Sequence, residues 1–312
     1  RSFLGRIRGL FEFENKQGIF PDVHRSYKYA LLIWDKEEAV PAFPAAFYLW
    51  QVQALEGKGE KDKFLEMPMD LVRICAPESL SIPEVRSERH LEVFAKLYRE
   101  NALLGDQKKG WHVSLVAELH RTNDSNLFRS DGQGWHLMEG KCFHQFLPDY
   151  EKPSFTVDAD KGLKRTERCR DYRDGINGFV HMMPRVAFRD IASSTNVRSA
   201  IACILPPQTL CSNKAPVVVP IINGHVPKDK TYAIFISYLA GIFNSFVFDF
   251  LIRTRVSINL NFFYVYQTPV PADYHSPTAQ KNHPVRRPPE QPGRALPGAG
   301  GGGGRLLRPP LH

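Results

Sequence analysis

The 312 residues are enough for one large or two medium domains with a genuine core, and 43% apolar with 24% charged residues is ordinary for a globular chain. The formal charge of +8 invites a nucleic-acid partner, yet residues 276–312 alone carry a net +5, which leaves +3 on residues 1–275. Five cysteines, odd in number and without a CxxC pair, argue against a disulfide framework or zinc knuckle and fit reduced thiols in the cytoplasm.

In chain order, the first stretch reads as a short apolar segment at Phe11–Glu14, a loop punctuated by Gly18 and Pro21, and a buried strand at Tyr27–Trp34. No Met begins the chain and no signal peptide is recognisable, so a fragment is expected. A helix-like run follows at Ala45–Leu55, then a charged loop at Glu56–Lys63, then a strand containing Leu71, Val72 and Ile74. Ser81, Pro83 and Glu84 have the spacing of a helix start. Leu91, Phe94, Ala95 and Tyr98 recur at helical period, with Gly105 as the expected stop.

Further on, GFVHMMPRVAFRDIAS (178–193) and SAIACILPP (199–207) read as strands. Tyr232–Ile252 has the length of a membrane span, but Asn244, Ser245 and Asp249 lie inside it, and a buried carboxylate in lipid is costly. A buried helix is expected, with Phe235, Leu239, Ile242, Phe246 and Phe250 on one face and no membrane contact. NLNFFYVYQTPVP (259–271) reads as a strand. Residues 276–312 hold eight prolines and seven glycines and are expected to be disordered.

No GxGxxG, GxxxxGK[ST], HExxH or GxSxG motif is present, and no Asn-Pro-Pro-Tyr tetrapeptide. Asp131, Glu139 and Lys141 match a loose nuclease pattern, in which two carboxylates hold Mg²⁺ and a lysine offsets phosphorane charge. That pattern is permissive, and a DNA-contacting or structural role suits Lys141 better. Arg185, Arg189 and Arg198 flank a donor-rich stretch suited to phosphates and base edges, or equally to surface ion pairs. Asn123 and Ser125 sit in a polar loop, His120–Ser130, that suits either a DNA-facing turn or plain helix caps. The histidines lack ligand spacing, and neither a catalytic nor a metal-ligating residue is assigned.

The segment FEFENKQGIFPDVHRSYKYALLIWDK (11–36) resembles the end of the catalytic domain of adenine-specific DNA methyltransferases of the restriction-modification type, especially the fused type IIG class. ESLSIPE (78–84), RTNDSNLFRS (121–130), LMEGKCFHQF (137–146), AFRDIASSTNVRSAIACILPP (187–207), CSNKAPVV (211–218) and residues 239–271 extend the resemblance in the same order. It implies an α+β chain, in which residues 1–40 end a Rossmann-like methyltransferase sheet and residues 41–275 form a mixed α/β target-recognition domain. Residues 276–312 form the tail.

An upstream methyltransferase domain would bind S-adenosylmethionine and carry the missing tetrapeptide, so no cofactor is expected on this chain alone. Phe20, shaped by Pro21, would stack on an adenine flipped from double-stranded DNA, since its target nitrogen is unreachable inside the duplex. Lys141, Arg185, Arg189, Arg198, Asn123 and Ser125 would contact the DNA. A specificity module without chemistry is the alternative, and a Mg-dependent nuclease a lesser one.

Overall fold

A computed structural model describes residues 4–271 apart from 37–38, 57–63, 107–112, 173–175, 193–195, 222–225, 229 and 257. The expected charged loop at 56–63, save Glu56, and the tail at 276–312 lie outside the described residues.

The first layer is a four-stranded sheet of order β2-β1-β3-β4, from β1 (Ile7–Glu14), β2 (Lys28–Trp34), β3 (Ala42–Leu49) and β4 (Leu65–Pro68). β1 runs antiparallel to β2 and parallel to β3, and β3 runs antiparallel to β4. The sheet thus continues across residue 40. With one parallel pair among its described strands, it does not show the Rossmann-like sheet expected. β2 is a strand as read, but it is not buried. It pairs only with β1, and Leu31, Leu32, Ile33 and Trp34 are exposed at the sheet edge.

The expected helix at 45–55 is instead β3 followed by a 3-10 turn at Val52–Leu55. Pairing on both sides lets Phe43, Ala45, Ala46 and Leu49 be buried. The expected strand at Leu71–Ile74 is helix α1 (Met69–Cys75), because Met69, Val72 and Cys75 recur at helical spacing and all go into the first core. Helix α2 (Glu88–Glu100) starts at Ser87, whose Oγ accepts from the His90 amide at 3.1 Å, rather than at Ser81. The Glu84 amide is already bonded to the Thr254 carbonyl. Phe94, Ala95 and Tyr98 are buried as the spacing predicts. The helix ends at Glu100, before Gly105.

The second half is built from β5 (Ala102–Leu103), β6 (Val113–Val116), β7 (Phe128–Arg129), β8 (Trp135–Met138), β9 (Thr156–Val157) and helices α3 (Ala159–Thr166) and α4 (Ile176–His181). Then come β10 (Arg185–Phe188), β11 (Ala202–Leu205), β12 (Thr209–Cys211) and β13 (Val217–Pro220). Two sheets result, of order β11-β10-β13-β6 and β12-β8-β9-β7. The first carries the larger core, since all four residues of β10 and of β13 are buried.

The long apolar run forms two helices, α5 (Lys230–Phe243) and α6 (Phe246–Arg253), bent by 56° at Asn244–Ser245. Asn244 works as a strand residue would: its Oδ1 accepts from the Ala202 amide at 3.0 Å and its Nδ2 donates to the Ala202 carbonyl at 2.8 Å. Ser245 then caps α6 through the Phe248 amide. The bend breaks the expected face. Phe235 and Leu239 are buried, while Phe246 is 84% exposed and Phe250 turns to the first core. Among the described residues no single helix is long and apolar enough to cross a membrane. The last expected strand is mostly helix α7 (Phe262–Tyr266), followed by β14 (Pro269–Val270), which pairs with β5. The class is mixed α+β: four small sheets and seven α-helices among the described residues.

Candidate nucleic-acid interface

Glu14 ends β1, and the chain turns at Asn15, which is buried and holds the turn with its whole amide. Its Nδ2 donates to the Phe20 and Val23 carbonyls at 3.0 and 2.8 Å, and its Oδ1 accepts from the Phe20 amide at 3.0 Å. Gly18 supplies the left-handed residue, φ 71°, that a side chain would resist. Arg25 closes the loop by donating to the Lys16 carbonyl at 2.6 Å. Phe20 therefore stands on a rigid turn while 47% exposed. It meets Tyr29 edge-on at 5.0 Å, and Tyr29 stacks on Phe13 at 5.1 Å. Pro21 is exposed beside it.

Because β1 and β3 are parallel, their carboxyl ends lie side by side, with Phe13 opposite Leu49. Ligands in mixed sheets gather outside such ends. Tyr48 and Trp50 therefore join the Phe20 turn. Trp50 donates to Glu14 at 2.8 Å, with the Lys16 ammonium 4.5 Å over its ring. Tyr48 takes φ +60°, a conformation a tyrosine rarely adopts, and such strain clusters at functional positions. The Lys28 ammonium and the Arg86 guanidinium lie 4.7 and 3.8 Å from its ring. A cleft of about 570 Å³ opens here, lined by Tyr48, Trp50, Gln51, Gln53 and Arg86 among others.

Lys28 bridges Glu12, at 3.0 Å, and Glu84. Burial, and then the neighbouring Glu84, push the Glu12 carboxyl up to about 7, against the pull of Lys28. For Lys28, burial works the other way, but its two carboxylates outweigh it and raise its pKa. Burial also opposes ionisation of Glu14, yet Lys16 and Trp50 hold it below the usual range. Glu12 binds a proton in the native state that the unfolded chain, with the ordinary carboxyl value of 4.5, has released. Its contribution to stability is complete below 4.5 and is lost as pH rises through about 7. Glu12→Gln is therefore expected to raise the thermal midpoint by a few degrees at pH 8 and by little at pH 5. A pH-independent difference in calorimetry would refute the assignment.

The residues expected to touch DNA fall into different settings. Arg185 is fully buried and paired with Glu118, so it cannot reach a ligand on the surface. Its place in β10, between β11 and β13, turns it into the core. Arg198 is partly engaged by the fold, with its guanidinium 4.7 Å over the Phe246 ring. It donates to the Asn244 and Ser245 carbonyls at 2.7 and 3.0 Å, closing the end of α5, and lies 3.7 Å from Asp249 with its side chain mostly buried. Arg189 is half-buried, with Nε and Nη2 donating to the Phe143 carbonyl at 3.1 and 2.5 Å. Lys141 is half-exposed and donates to Ser154 at 2.9 Å. Asn123 and Ser125 are exposed on a turn pinned by Asp124, which accepts from the His120 amide and from Arg165. Ser193, Ser194 and Thr195 lie outside the described residues.

The nuclease pattern is not assembled. Asp131 pairs with Arg129, Glu139 with Arg121 at 2.9 Å, and no group of three metal-ligating side chains occurs among the described residues. Sequence reading missed Tyr48, Trp50, Lys28 and Arg86. The aromatic-rich stretch Phe47-Tyr48-Leu49-Trp50, inside the expected helix, was the local signal, and the parallel pairing that gives it meaning is not local.

No family model matches the sequence, and no curated protein does. Among solved structures the chain is similar to the type IIG restriction endonuclease BpuSI, at a TM-score of 0.36 and 12% identity over 86% of this chain. The chain spans 37% of the length of that enzyme.

Proposed function

We propose that this chain is the DNA-recognition part of an adenine-N6 DNA methyltransferase of the restriction-modification type, acting in the cytoplasm on double-stranded DNA. The observation that carries this reading is Phe20, half-exposed on a turn locked by Asn15 and Gly18 at the carboxyl ends of β1 and β3. A rigid, exposed aromatic is what stacking on an extruded base requires. S-adenosylmethionine, bound by an upstream domain, would supply the methyl group. Of the surface donors, Lys141, Arg189, Asn123 and Ser125 remain available for phosphate or base contacts, while Arg185 and Arg198 serve the fold.

Two measurements test the proposal. The purified chain should bind duplex DNA with an affinity that falls steeply as salt rises. A duplex carrying 2-aminopurine in a mismatch should lose base fluorescence on binding as the base stacks. Phe20→Ala should weaken that stacked complex roughly 5- to 100-fold, the range for one base–aromatic stack. Well-folded protein that shows no salt-dependent binding and no change in base fluorescence would refute the reading. A specificity module without chemistry is separated by joining the chain to its upstream domain and assaying labelled methyl transfer.

A further inference from the structure

The cleft between Trp50 and Arg86 is not lined by Phe20 but is tied to that turn by Lys16 over the Trp50 ring and by the Trp50–Glu14 bond. Two of its lining residues combine ring and cation. The Arg86 guanidinium lies 3.8 Å over the Tyr48 ring, and Trp50 carries Lys16 over its ring at 4.5 Å. Trp50 is 51% exposed, and Arg86 is exposed as well. The Trp50 indole is fixed in azimuth by its bond to Glu14, and Glu14 is itself neutralised by Lys16 at 2.5 Å. Glu84 is likewise engaged by Lys28. The acids near the cleft are thus covered, whereas the Arg86 guanidinium forms no ion pair or hydrogen bond among the described residues. At about 570 Å³ the cleft has the volume of a nucleoside-sized ligand rather than of a helix or strand. Tyr48, held at φ +60°, sets its ring between Lys28 and Arg86.

We infer that this cleft holds one nucleotide of an unpaired DNA strand, its base on Trp50 and its phosphate on Arg86. Aromatic platforms joined to cations are how proteins hold single strands without reading their sequence, because every base has a π face. The inference rests on the DNA reading above and adds a second nucleotide position to it. Extruding a base unpairs its partner on the opposite strand, and a site next to the Phe20 turn would hold such an unpaired nucleotide.

The experiment uses the full chain, a fluorescein-labelled 12-nucleotide oligo-dT strand and anisotropy, with circular dichroism to confirm folding of each variant. Trp50→Ala should weaken strand binding roughly 5- to 100-fold, with Trp50→Phe retaining most of it. Arg86→Ala should weaken binding and lower the salt slope by about one ion. Free thymidine monophosphate, added as competitor, should displace the strand only at far higher concentration; equal potency would show a site for free nucleotides and overturn the strand assignment. Strand binding that is absent, or unchanged in folded Trp50→Ala and Arg86→Ala, also overturns it. The 2-aminopurine signal in duplex DNA is read separately. If it fails while these variants lose strand binding, the Phe20 reading falls and the cleft stands. If it succeeds while they bind normally, the reverse holds.

Discussion

Arg185→Ala is expected to lower the unfolding free energy by about 3–5 kcal/mol, the range for stripping one partner from a buried ion pair. Arg185 and Glu118 are both fully buried. Arg185 also donates to the Thr209 carbonyl at 2.6 Å. Glu118 accepts from the Tyr172 hydroxyl at 2.6 Å and the Cys211 amide at 2.7 Å, with His181 at 3.2 Å. Burial disfavours the Glu118 carboxylate, but Arg185 and His181 outweigh it and bring its pKa down to about 2. Its contribution is present above the ordinary carboxyl value of 4.5 and is lost as pH falls from there through about 2. The alanine variant leaves that charge buried and uncompensated. Replacing both residues, as in Arg185→Met with Glu118→Leu, should recover only part of the loss, because the buried charge is gone but the Tyr172 hydroxyl and the Cys211 amide lose their acceptor. Urea denaturation with an unchanged slope measures both effects. A loss below about 1 kcal/mol for Arg185→Ala would mean that the arginine sits at the surface, as its sequence context led one to expect.

Asp249→Ala should cost about 3 kcal/mol, from several charge-assisted bonds lost at one buried group. Asp249 Oδ1 accepts from the Ser199 and Ala200 amides at 2.7 and 2.8 Å, and its Oδ2 accepts from Arg253 at 2.7 Å. Arg198 lies 3.7 Å away. Without the carboxylate, two buried amides and the Arg253 guanidinium lose an acceptor together, and Arg198 loses a nearby opposite charge. The loss should be accompanied by faster exchange of the Ser199 and Ala200 amide protons, since they sit just before β11 and donate to this side chain. Slow exchange in a destabilised variant would show that the two amides have another partner, and the account of Asp249 would fail.

These two residues show where sequence reading stops. The turn at Gly18–Pro21 was legible because glycine and proline fix backbone angles locally. The buried face of α2 was legible because Phe94, Ala95 and Tyr98 keep their period. Arg185 was misread because its partner is 67 positions upstream, so that nothing near RVAF distinguishes a core arginine from a surface one. The bend between α5 and α6 was misread for the same reason. Asn244 and Ser245 look like two polar residues tolerated in a helix, until Asn244 is seen to bond Ala202, 42 positions away. Tyr48 and Trp50 became part of a site only through the parallel pairing of β1 with β3. Local chemistry set the turns and helix faces. Long-range pairing decided which charged groups face water.

The short pairing of β5 with β14 has an architectural consequence. Ala102 lies opposite Val270 and Leu103 opposite Pro269, and the Leu104 and Gly105 amides reach the Thr268 and Tyr266 carbonyls. The chain thus enters and leaves the 104–268 segment through a neck two strands wide, roughly 5 Å across. Within that neck lie both later sheets and the larger core. The first sheet meets a fixed, narrow gap whatever the length or sequence of what the segment encloses. Beside the neck, further ties join the two parts, among them the bonds of Tyr98 to Gln267, of Glu84 to Thr254 and of Arg255 to the Cys75 carbonyl, and the packing of Phe250 and Leu251 into the first core. Loops within the segment that lie away from these contacts can change length without moving the ends it is hung from.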